Sequence, residues 1–266
     1  MNKKVRISTI IKMKSEGKKI TALTAYDYTF GYLLDEAGVD LILVGDSCGN
    51  VCAGYETTLP VTVDEMIYHV KSVHKGVKRA LLVADMPFMS YQETMELALR
   101  NAGRFMKEGG AEAVKLEGGE HICPTIKKMV EIGIPVMGHL GFTPQSVHEL
   151  GGYGVRGAEK KEAAIIKKDA QMLHEAGAFS IVLEKVPATL AKEISDSLSI
   201  PTIGIGAGPD CDGQILVSYD MLGLYDKMKF KFVRRYAKLA DEVQKCVSEY
   251  CEDIREGRFP SKEESY

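Results

Sequence analysis

Short apolar runs alternate with helix-like segments along the whole chain, and this alternation constrains the fold more than any other feature. Runs such as 41–44, 81–84 and 181–183 are continuously apolar, which is typical of strands buried on both faces of a parallel sheet. Eight strand-like runs are separated by helical segments in a chain of 266 residues. This pattern predicts an α/β fold, a single closed (β/α)8 TIM barrel, and favours it over an open doubly wound sheet.

The ends of the chain add helices to the barrel pattern. An amphipathic segment at about residues 7–16 precedes the first predicted strand, and a long helix of about 230–256 closes the chain.

Thr62 and Glu65 have the spacing of a capping box, which predicts a helix from there to Gly76. No linker or shift in composition divides the chain, so we predict one catalytic domain over residues 1–266.

Composition excludes several classes of partner. Hydrophobic residues make up 45% of the chain, which is enough for a buried core, and the net charge of −3 gives no reason to expect nucleic acid or an anionic membrane as partner. The apolar runs are far shorter than the roughly 20 residues that cross a bilayer, and the N-terminal residues lack the apolar stretch of a signal peptide. We therefore expect a cytoplasmic location.

Four of the apolar runs finish on an acidic residue: Asp46, Asp85, Glu117 and Glu184. An acid at this position lies at the carboxyl end of a strand, and in a barrel these ends form the rim that carries the active site. Any one of these acids alone is explained more simply as a helix cap or as the partner of a lysine. Four at similar strand positions indicate a site.

Asp46, Asp85 and Glu117 follow three consecutive strands, so their carboxylates are expected to lie close together. Close carboxylates repel each other unless protons or a cation intervene. Oxygen ligands without a histidine or cysteine cluster favour Mg²⁺ or Mn²⁺ over zinc, and Mg²⁺ usually takes only one or two carboxylates directly. The three acids are the predicted metal site.

Three further side chains complete the predicted site. Lys115 lies two residues before Glu117, on the same side of the strand, where it would hold a substrate carboxylate, balance charge or, less favourably, form a Schiff base. Glu184 is placed to act as a general base, with Lys185 and Glu120 as weaker candidates. His139, which follows the fifth predicted strand, is a substrate hydrogen-bond donor, an orienting residue or a structural histidine.

Several longer segments resemble the ketopantoate hydroxymethyltransferase (3-methyl-2-oxobutanoate hydroxymethyltransferase) family. The resemblance covers nearly the whole chain and is carried by residues 24–28, 44–47, 58–62, 84–88, 114–119, 138–146, 204–208 and 212–216. It implies a (β/α)8 barrel assembled into a homo-oligomer, commonly a decamer. It also implies transfer of a one-carbon unit from 5,10-methylenetetrahydrofolate to 3-methyl-2-oxobutanoate, which gives 2-dehydropantoate for pantothenate and coenzyme A biosynthesis through a Mg²⁺-stabilised enolate.

The resemblance also implies roles for individual residues. Asp46 and Asp85 correspond to Mg²⁺ ligands, with Glu117 completing the metal site. Ser47 and Lys115 correspond to contacts with the 2-oxo acid, and Asp46, Asp85 and His139 are also predicted to bind it. Glu184 corresponds to the proton acceptor.

Two other functions remain as alternatives. A Mg²⁺-dependent lyase or mutase of the isocitrate lyase and phosphonopyruvate type would share the barrel and the binding of a 2-oxo acid, but would not depend on folate. A catalytically idle barrel that serves as a ring component would have no need for four acids at its strand ends.

Overall fold

Eight parallel strands close into a barrel in the order in which they occur in the chain. The structure, a computed structural model, describes residues 3–152, 154–227 and 230–266. The last strand pairs with the first, with Ile20 opposite Gly213, so the sheet has no free edge. The prediction of a closed (β/α)8 barrel is confirmed.

The elements follow the predicted alternation, with boundaries that differ by a few residues. Within the described residues the strands are β1 Ile20–Thr24, β2 Leu41–Val44, β3 Leu81–Asp85, β4 Ala113–Glu117, β5 Val136–Gly141, β6 Ser180–Glu184, β7 Thr202–Ile205 and β8 Gly213–Leu216. The α-helices there are α1 Ile7–Ser15, α2 Tyr28–Glu36, α3 Cys48–Val51, α4 Val63–Gly76, α5 Met95–Arg104, α6 Cys123–Glu131, α7 Lys160–Glu175, α8 Ala188–Ser197, α9 Ser218–Met221 and α10 Leu239–Arg255. The capping box is confirmed, because the Thr62 hydroxyl accepts a hydrogen bond from the Glu65 N–H and the Glu65 carboxylate accepts one from the Thr62 N–H.

The hydrophobic core fills the end of the barrel at which the strands begin. Leu41 and Leu81, the first residues of β2 and β3, are almost completely buried and belong to the same apolar cluster as Ile10. Because Ile10 lies on α1, this helix covers the N-terminal end of the barrel. The acids at the strand ends are left at the opposite rim.

Two of the boundary differences change where a predicted residue or helix lies. Strand β5 continues to Gly141, so His139 lies within the strand and does not follow it. Helix α10 begins at Leu239 and not near residue 230, because the N–H groups of Tyr236 and Leu239 donate to the carbonyls of Met221 and Leu222 instead of continuing a helix.

The chain divides into two compact units, Met1–Val217 and Ser218–Tyr266. The first unit contains all eight strands of the barrel, and the second contains α9 and α10. The assignment of residues 1–266 to one domain stays a prediction. No helix in the described part of the chain is both long and apolar enough to span a bilayer.

Asp35 lies outside the predicted site, and its replacement tests what stabilises the barrel. Its buried carboxylate, on α2, accepts hydrogen bonds from the N–H groups of Lys78, Arg79 and Ala80 at 2.9, 2.9 and 2.6 Å, just before β3 begins. Asp35→Ala leaves three donors without this partner, and a buried unsatisfied donor costs about 1–3 kcal/mol. We expect the free energy of unfolding, measured in urea, to fall by about 2–4 kcal/mol.

Asp27→Ala is the matched control on the same helix. Asp27 is the N-cap of α2 and accepts one hydrogen bond, from the Phe30 N–H at 2.8 Å. Its loss is expected to cost about 1 kcal/mol. A loss of stability in Asp35→Ala no larger than in Asp27→Ala would contradict the role given to Asp35.

Candidate active site

Three of the predicted acids are the last residues of their strands. Asp85 is paired in register with Lys115, Glu117 with His139, and Glu184 with Gly141. The parallel register therefore sets the ends of β3, β4, β5 and β6 side by side.

Asp46 differs from the other acids because it lies two residues beyond the end of β2. Gly45 separates Asp46 from the strand. Any other residue at this position would place its Cβ 2.8 Å from the Ser47 Oγ, which is too close unless the serine moves. The turn still brings Asp46 to the other acids, since its N–H donates to Asp85 Oδ2 at 3.2 Å. Both aspartates and Glu117 are at most 5% exposed.

Lys115 is the cation among these carboxylates. It is 3% exposed, its ammonium forms an ion pair with Asp85, and it lies 3.8 Å from Glu117 Oε1. Burial alone would lower the pKa of Lys115, but the charges of Asp85, Glu117 and Asp46 outweigh burial and raise it above its ordinary value. A lysine that is held protonated in this way is a poor nucleophile, which argues against the Schiff-base alternative.

His139 connects the carboxylate cluster to Glu184. Its Nδ1 lies 3.4 Å from Glu117 Oε1, and its Nε2 lies 3.4 Å from Glu184 Oε2. Burial and the Lys115 ammonium oppose protonation, but the interactions with Glu117 and Glu184 raise the pKa of His139 to about 9. The imidazole is therefore held as a cation that links the two glutamates at neutral pH.

Glu184 is held on a rigid strand end. Its carbonyl accepts a hydrogen bond from the Phe142 N–H at 2.8 Å, and its side chain is 15% exposed, more than those of Glu117 and His139. Lys185, the next residue, has a φ of 48°, a left-handed conformation that is uncommon for a residue other than glycine. Such strained positions are often found at functional sites.

Ser47 is held in place by a tyrosine. The hydroxyl of the buried Tyr26 lies 2.8 Å from Ser47 Oγ. Ser47 itself is half-buried and immediately precedes the short helix α3. Ser47 is thus a neutral hydrogen-bonding group next to Asp46.

Two residues of the site were missed by the sequence reasoning. Gln145 and Tyr91 are at most 5% exposed, and the Tyr91 hydroxyl lies 2.8 Å from Gln145 Oε1. Gln145 also donates to Asp46 and Glu117. The only sequence signal was the place of Gln145 in the segment 138–146, which follows β5 at the active rim.

From the sequence we also predict a long loop over residues 139–159 at the active rim. Strand β5 extends into this range as far as Gly141, and Tyr153 lies outside the described residues.

The site carries more negative than positive charge. Four carboxylates, those of Asp46, Asp85, Glu117 and Glu184, are accompanied by the Lys115 ammonium and the His139 imidazolium. With all six groups charged, the negative charges exceed the positive ones by two, or by one when Lys185, whose charge interacts with Glu184, is included.

The pKa values of the acids reflect this excess. Burial raises the pKa of Asp46 well above its ordinary value, and the charges of Asp85 and Glu117 raise it further. Burial also raises the pKa of Asp85, although Lys115 opposes the effect. Burial acts in the same direction on Glu117, but its contacts with His139 and Lys115 outweigh it and leave the pKa lowered.

A divalent cation fits this charge balance. Glu117 Oε1 is buried and makes no hydrogen bond to any described residue. In the described ranges, no group of three or more histidine, cysteine or acidic side chains is arranged so that together they could hold a metal ion. Mg²⁺ does not need one, because it binds through one or two carboxylates and keeps its other positions for water and substrate oxygens. The donor set of Asp46, Asp85 and Glu117 therefore fits Mg²⁺.

A parallel barrel with a cluster of acids and a lysine at the carboxyl ends of its strands defines a barrel enzyme. The sequence comparisons give the particular family. Residues 4–262 match the family model described as ketopantoate hydroxymethyltransferase. The chain belongs to this family.

Two curated relatives illustrate the match. The 3-methyl-2-oxobutanoate hydroxymethyltransferase of Prosthecochloris aestuarii is 58% identical over 258 residues, which cover 96% of this chain and 93% of the relative. The enzyme of the same name from Geobacter metallireducens is 53% identical over 266 residues, which cover 100% of both chains.

Solved structures with low sequence identity share the fold. A phosphonopyruvate hydrolase, crystallised with oxalate and Mg²⁺, has a TM-score of 0.63 at 13% identity and covers 97% of this chain and 92% of its own. A 2,3-dimethylmalate lyase of the PEP mutase/isocitrate lyase superfamily has a TM-score of 0.60 at 14% identity, with coverage of 98% and 91%. At these identities the likeness concerns the barrel and not the reaction.

Proposed function

We propose that this protein transfers a hydroxymethyl group from 5,10-methylenetetrahydrofolate to 3-methyl-2-oxobutanoate, giving 2-dehydropantoate. The names of the curated relatives support the 2-oxo acid substrate and the group transferred, the family resemblance of the sequence supports the folate donor, and the site supplies groups suited to the reaction. The observation that carries the proposal is the buried cluster of Asp46, Asp85 and Glu117, with uncompensated negative charge and a general-base candidate linked to it through His139.

Residues of the cluster would hold the cofactor and the 2-oxo acid. Asp46, Asp85 and Glu117 would hold Mg²⁺, which as a Lewis acid would draw electron density from the carboxylate and keto oxygens of the substrate. Lys115 and Ser47 would bind the substrate carboxylate, the first as a fixed charge and the second as a hydrogen-bond donor. His139 would complete the substrate pocket beside Lys115, since its Nδ1 lies 3.3 Å from the lysine Nζ.

Glu184 would take the proton from C3 of the substrate. Its Oε2 faces His139, which leaves Oε1 as the oxygen that accepts the proton. Over the reaction, the electron pair left at C3 forms a bond to the methylene carbon of the folate, and the bonds of that carbon to N5 and N10 break. Water supplies the hydroxyl group of the product, and one proton from C3 and one from water go to the two nitrogens of the released tetrahydrofolate. His139 would fix the rotamer of Glu184 during this step.

The reaction is tested by product analysis. Enzyme, Mg²⁺, 3-methyl-2-oxobutanoate and 5,10-methylenetetrahydrofolate are incubated, and 2-dehydropantoate is measured by mass spectrometry. We expect product only when substrate, folate and divalent cation are all present. Turnover of the 2-oxo acid without folate would instead support the lyase alternative, whose structural relatives are only 13–14% identical to this chain.

Assembly and location complete the proposed function. We propose a homodecamer in the cytoplasm, in keeping with the family resemblance. An apolar row on α10, formed by Val243, Val247, Tyr250 and Ile254, is 47–53% exposed in the single chain and is suited to contact between copies. Sedimentation is expected to show an assembly of ten chains of 29.2 kDa, and a monomer at micromolar concentration would contradict it.

A further inference from the structure

Gln145 is a neutral side chain at the centre of a charged site. It follows β5 and is 5% exposed, and its side-chain Nε2 donates to Asp46 Oδ2 at 2.9 Å. Its backbone N–H donates to Glu117 Oε2 at 3.0 Å. One residue therefore holds one oxygen of each of two carboxylates, one at the end of β4 and the other two residues beyond β2.

All hydrogen-bonding positions of the Gln145 amide are used. The second N–H donates to the Met86 carbonyl at 2.9 Å, and Oε1 accepts from the Tyr91 hydroxyl at 2.8 Å and from Gln92 Nε2 at 3.1 Å. A flipped amide would turn its oxygen toward the Asp46 carboxylate and the Met86 carbonyl, which are both acceptors. The network therefore permits one orientation, with the NH₂ group toward Asp46.

Tyr91 ties this amide to the backbone of β4. Its hydroxyl accepts a hydrogen bond from the Glu117 N–H at 3.0 Å while it contacts Gln145 Oε1. The strand end that presents Glu117 and the amide that restrains Asp46 are thus joined through a single phenol. A shift of either acid would break hydrogen bonds at the other.

The neutrality of Gln145 distinguishes it from Lys115. Lys115 forms an ion pair with Asp85 and removes part of the negative charge of the cluster. Gln145 fixes one oxygen of Asp46 and one of Glu117 without adding a positive charge. Gln145 therefore does not compete in charge with a bound cation, and Glu117 Oε1 makes no hydrogen bond within the described residues.

We propose that Gln145, held by Tyr91, is a positioning residue that sets Asp46 and Glu117 in the geometry needed to bind the divalent cation. This inference rests on the metal site of the proposed function. Groups that orient metal ligands typically contribute about 10- to 100-fold to metal affinity.

The test measures metal binding directly, without catalysis. Mn²⁺ is titrated into the full-length wild type and into Gln145→Leu, and free Mn²⁺ is followed by electron paramagnetic resonance. We expect the Mn²⁺ dissociation constant of Gln145→Leu to be about 10- to 100-fold higher. The KM for 3-methyl-2-oxobutanoate should rise at low Mg²⁺ and recover when Mg²⁺ is raised. This is because the variant binds the metal more weakly but keeps its catalytic groups.

Asn101→Leu is the matched control. Asn101 is also a buried amide, 7% exposed, but its Nδ2 donates to the Ser90 carbonyl at 2.8 Å and not to a site acid. This variant is expected to lower the melting temperature while the Mn²⁺ affinity stays within about two-fold of wild type. A purely structural role for Gln145 would give the same result in both variants.

Tyr91→Phe keeps the inference testable if Gln145→Leu does not fold. It removes the hydroxyl that contacts the amide and that also accepts from the Glu117 N–H, and we expect an intermediate, several-fold loss of Mn²⁺ affinity. Wild-type affinity in a folded Gln145→Leu, or in Tyr91→Phe where the leucine variant fails to fold, would overturn the role of Gln145 alone. Absence of Mn²⁺ binding by the wild type would overturn the metal site itself, and the role of Gln145 with it.

Discussion

Glu184→Gln is expected to lower the turnover number by about 10²- to 10⁴-fold, the usual contribution of a positioned general base. The glutamine has the same shape and can still contact His139, which lies 3.4 Å from Glu184 Oε2. It cannot accept a proton at C3 of the substrate. The turnover number at saturating folate and 2-oxo acid is the measurement, and Mn²⁺ affinity should change little because Glu184 is not a proposed metal ligand.

Glu120→Gln is the control for this substitution. Glu120 also follows β4 at the active rim, but its side chain is 59% exposed and pairs with Lys168 at the surface. Its turnover number is expected to match that of the wild type. If Glu184→Gln kept a turnover number within about three-fold of wild type, Glu184 would not be the base.

Lys115→Met is expected to lower both stability and activity. The substitution leaves Asp85 without its buried cationic partner. Removal of one partner of a buried ion pair typically costs 3–5 kcal/mol, so the free energy of unfolding in urea at pH 7.5 should fall by about that amount. Substrate binding should weaken as well, because the proposed contact with the 2-oxo acid carboxylate is lost.

The loss of unfolding free energy in Lys115→Met is expected to depend on pH in one direction. The pKa of Lys115 is raised above its ordinary 10.5, so its stabilising charge is fully present below that pH and is lost only as pH rises beyond it. The raised pKa values of Asp46 and Asp85 mean that these acids take up protons readily on acidification. The deficit of Lys115→Met should therefore shrink as pH is lowered from 7.5 to about 5.5.

Lys168→Met is the matched control, since its ion pair with Glu120 is at the surface and is expected to contribute at most about 1 kcal/mol. An equal loss in the two lysine variants, or a loss in Lys115→Met that does not change with pH, would contradict the charge balance described for the site.

The barrel was predictable because its strands are local and continuously apolar. The runs at 41–44 and 81–84 coincide with β2 and β3, whose residues are all buried. The start of α10 was not predictable in this way. Its displacement to Leu239 depends on hydrogen bonds from Tyr236 and Leu239 to Met221 and Leu222, and such distant pairings leave no periodic signal.

The acids of the site were predictable for a similar reason, since a charge that ends an apolar run is conspicuous. The register places Glu117 beside His139, and His139 reaches Glu184. Gln145 and Tyr91 do not end an apolar run with a charge, so the sequence does not single them out. Both are neutral, and Tyr91 lies 54 positions before Gln145 in the sequence. Only the folded chain shows that the two side chains are in contact.

The most direct test of the central claim follows the C3 proton of 3-methyl-2-oxobutanoate by proton NMR in D₂O, with enzyme and Mg²⁺. We expect the C3 signal to disappear in a metal-dependent manner without folate, and hydroxymethyl signals to appear only when 5,10-methylenetetrahydrofolate is added. Glu184→Gln should suppress both changes. A C3 proton that persists with folded, metal-loaded wild type, together with no hydroxymethyl product, would contradict the proposed reaction.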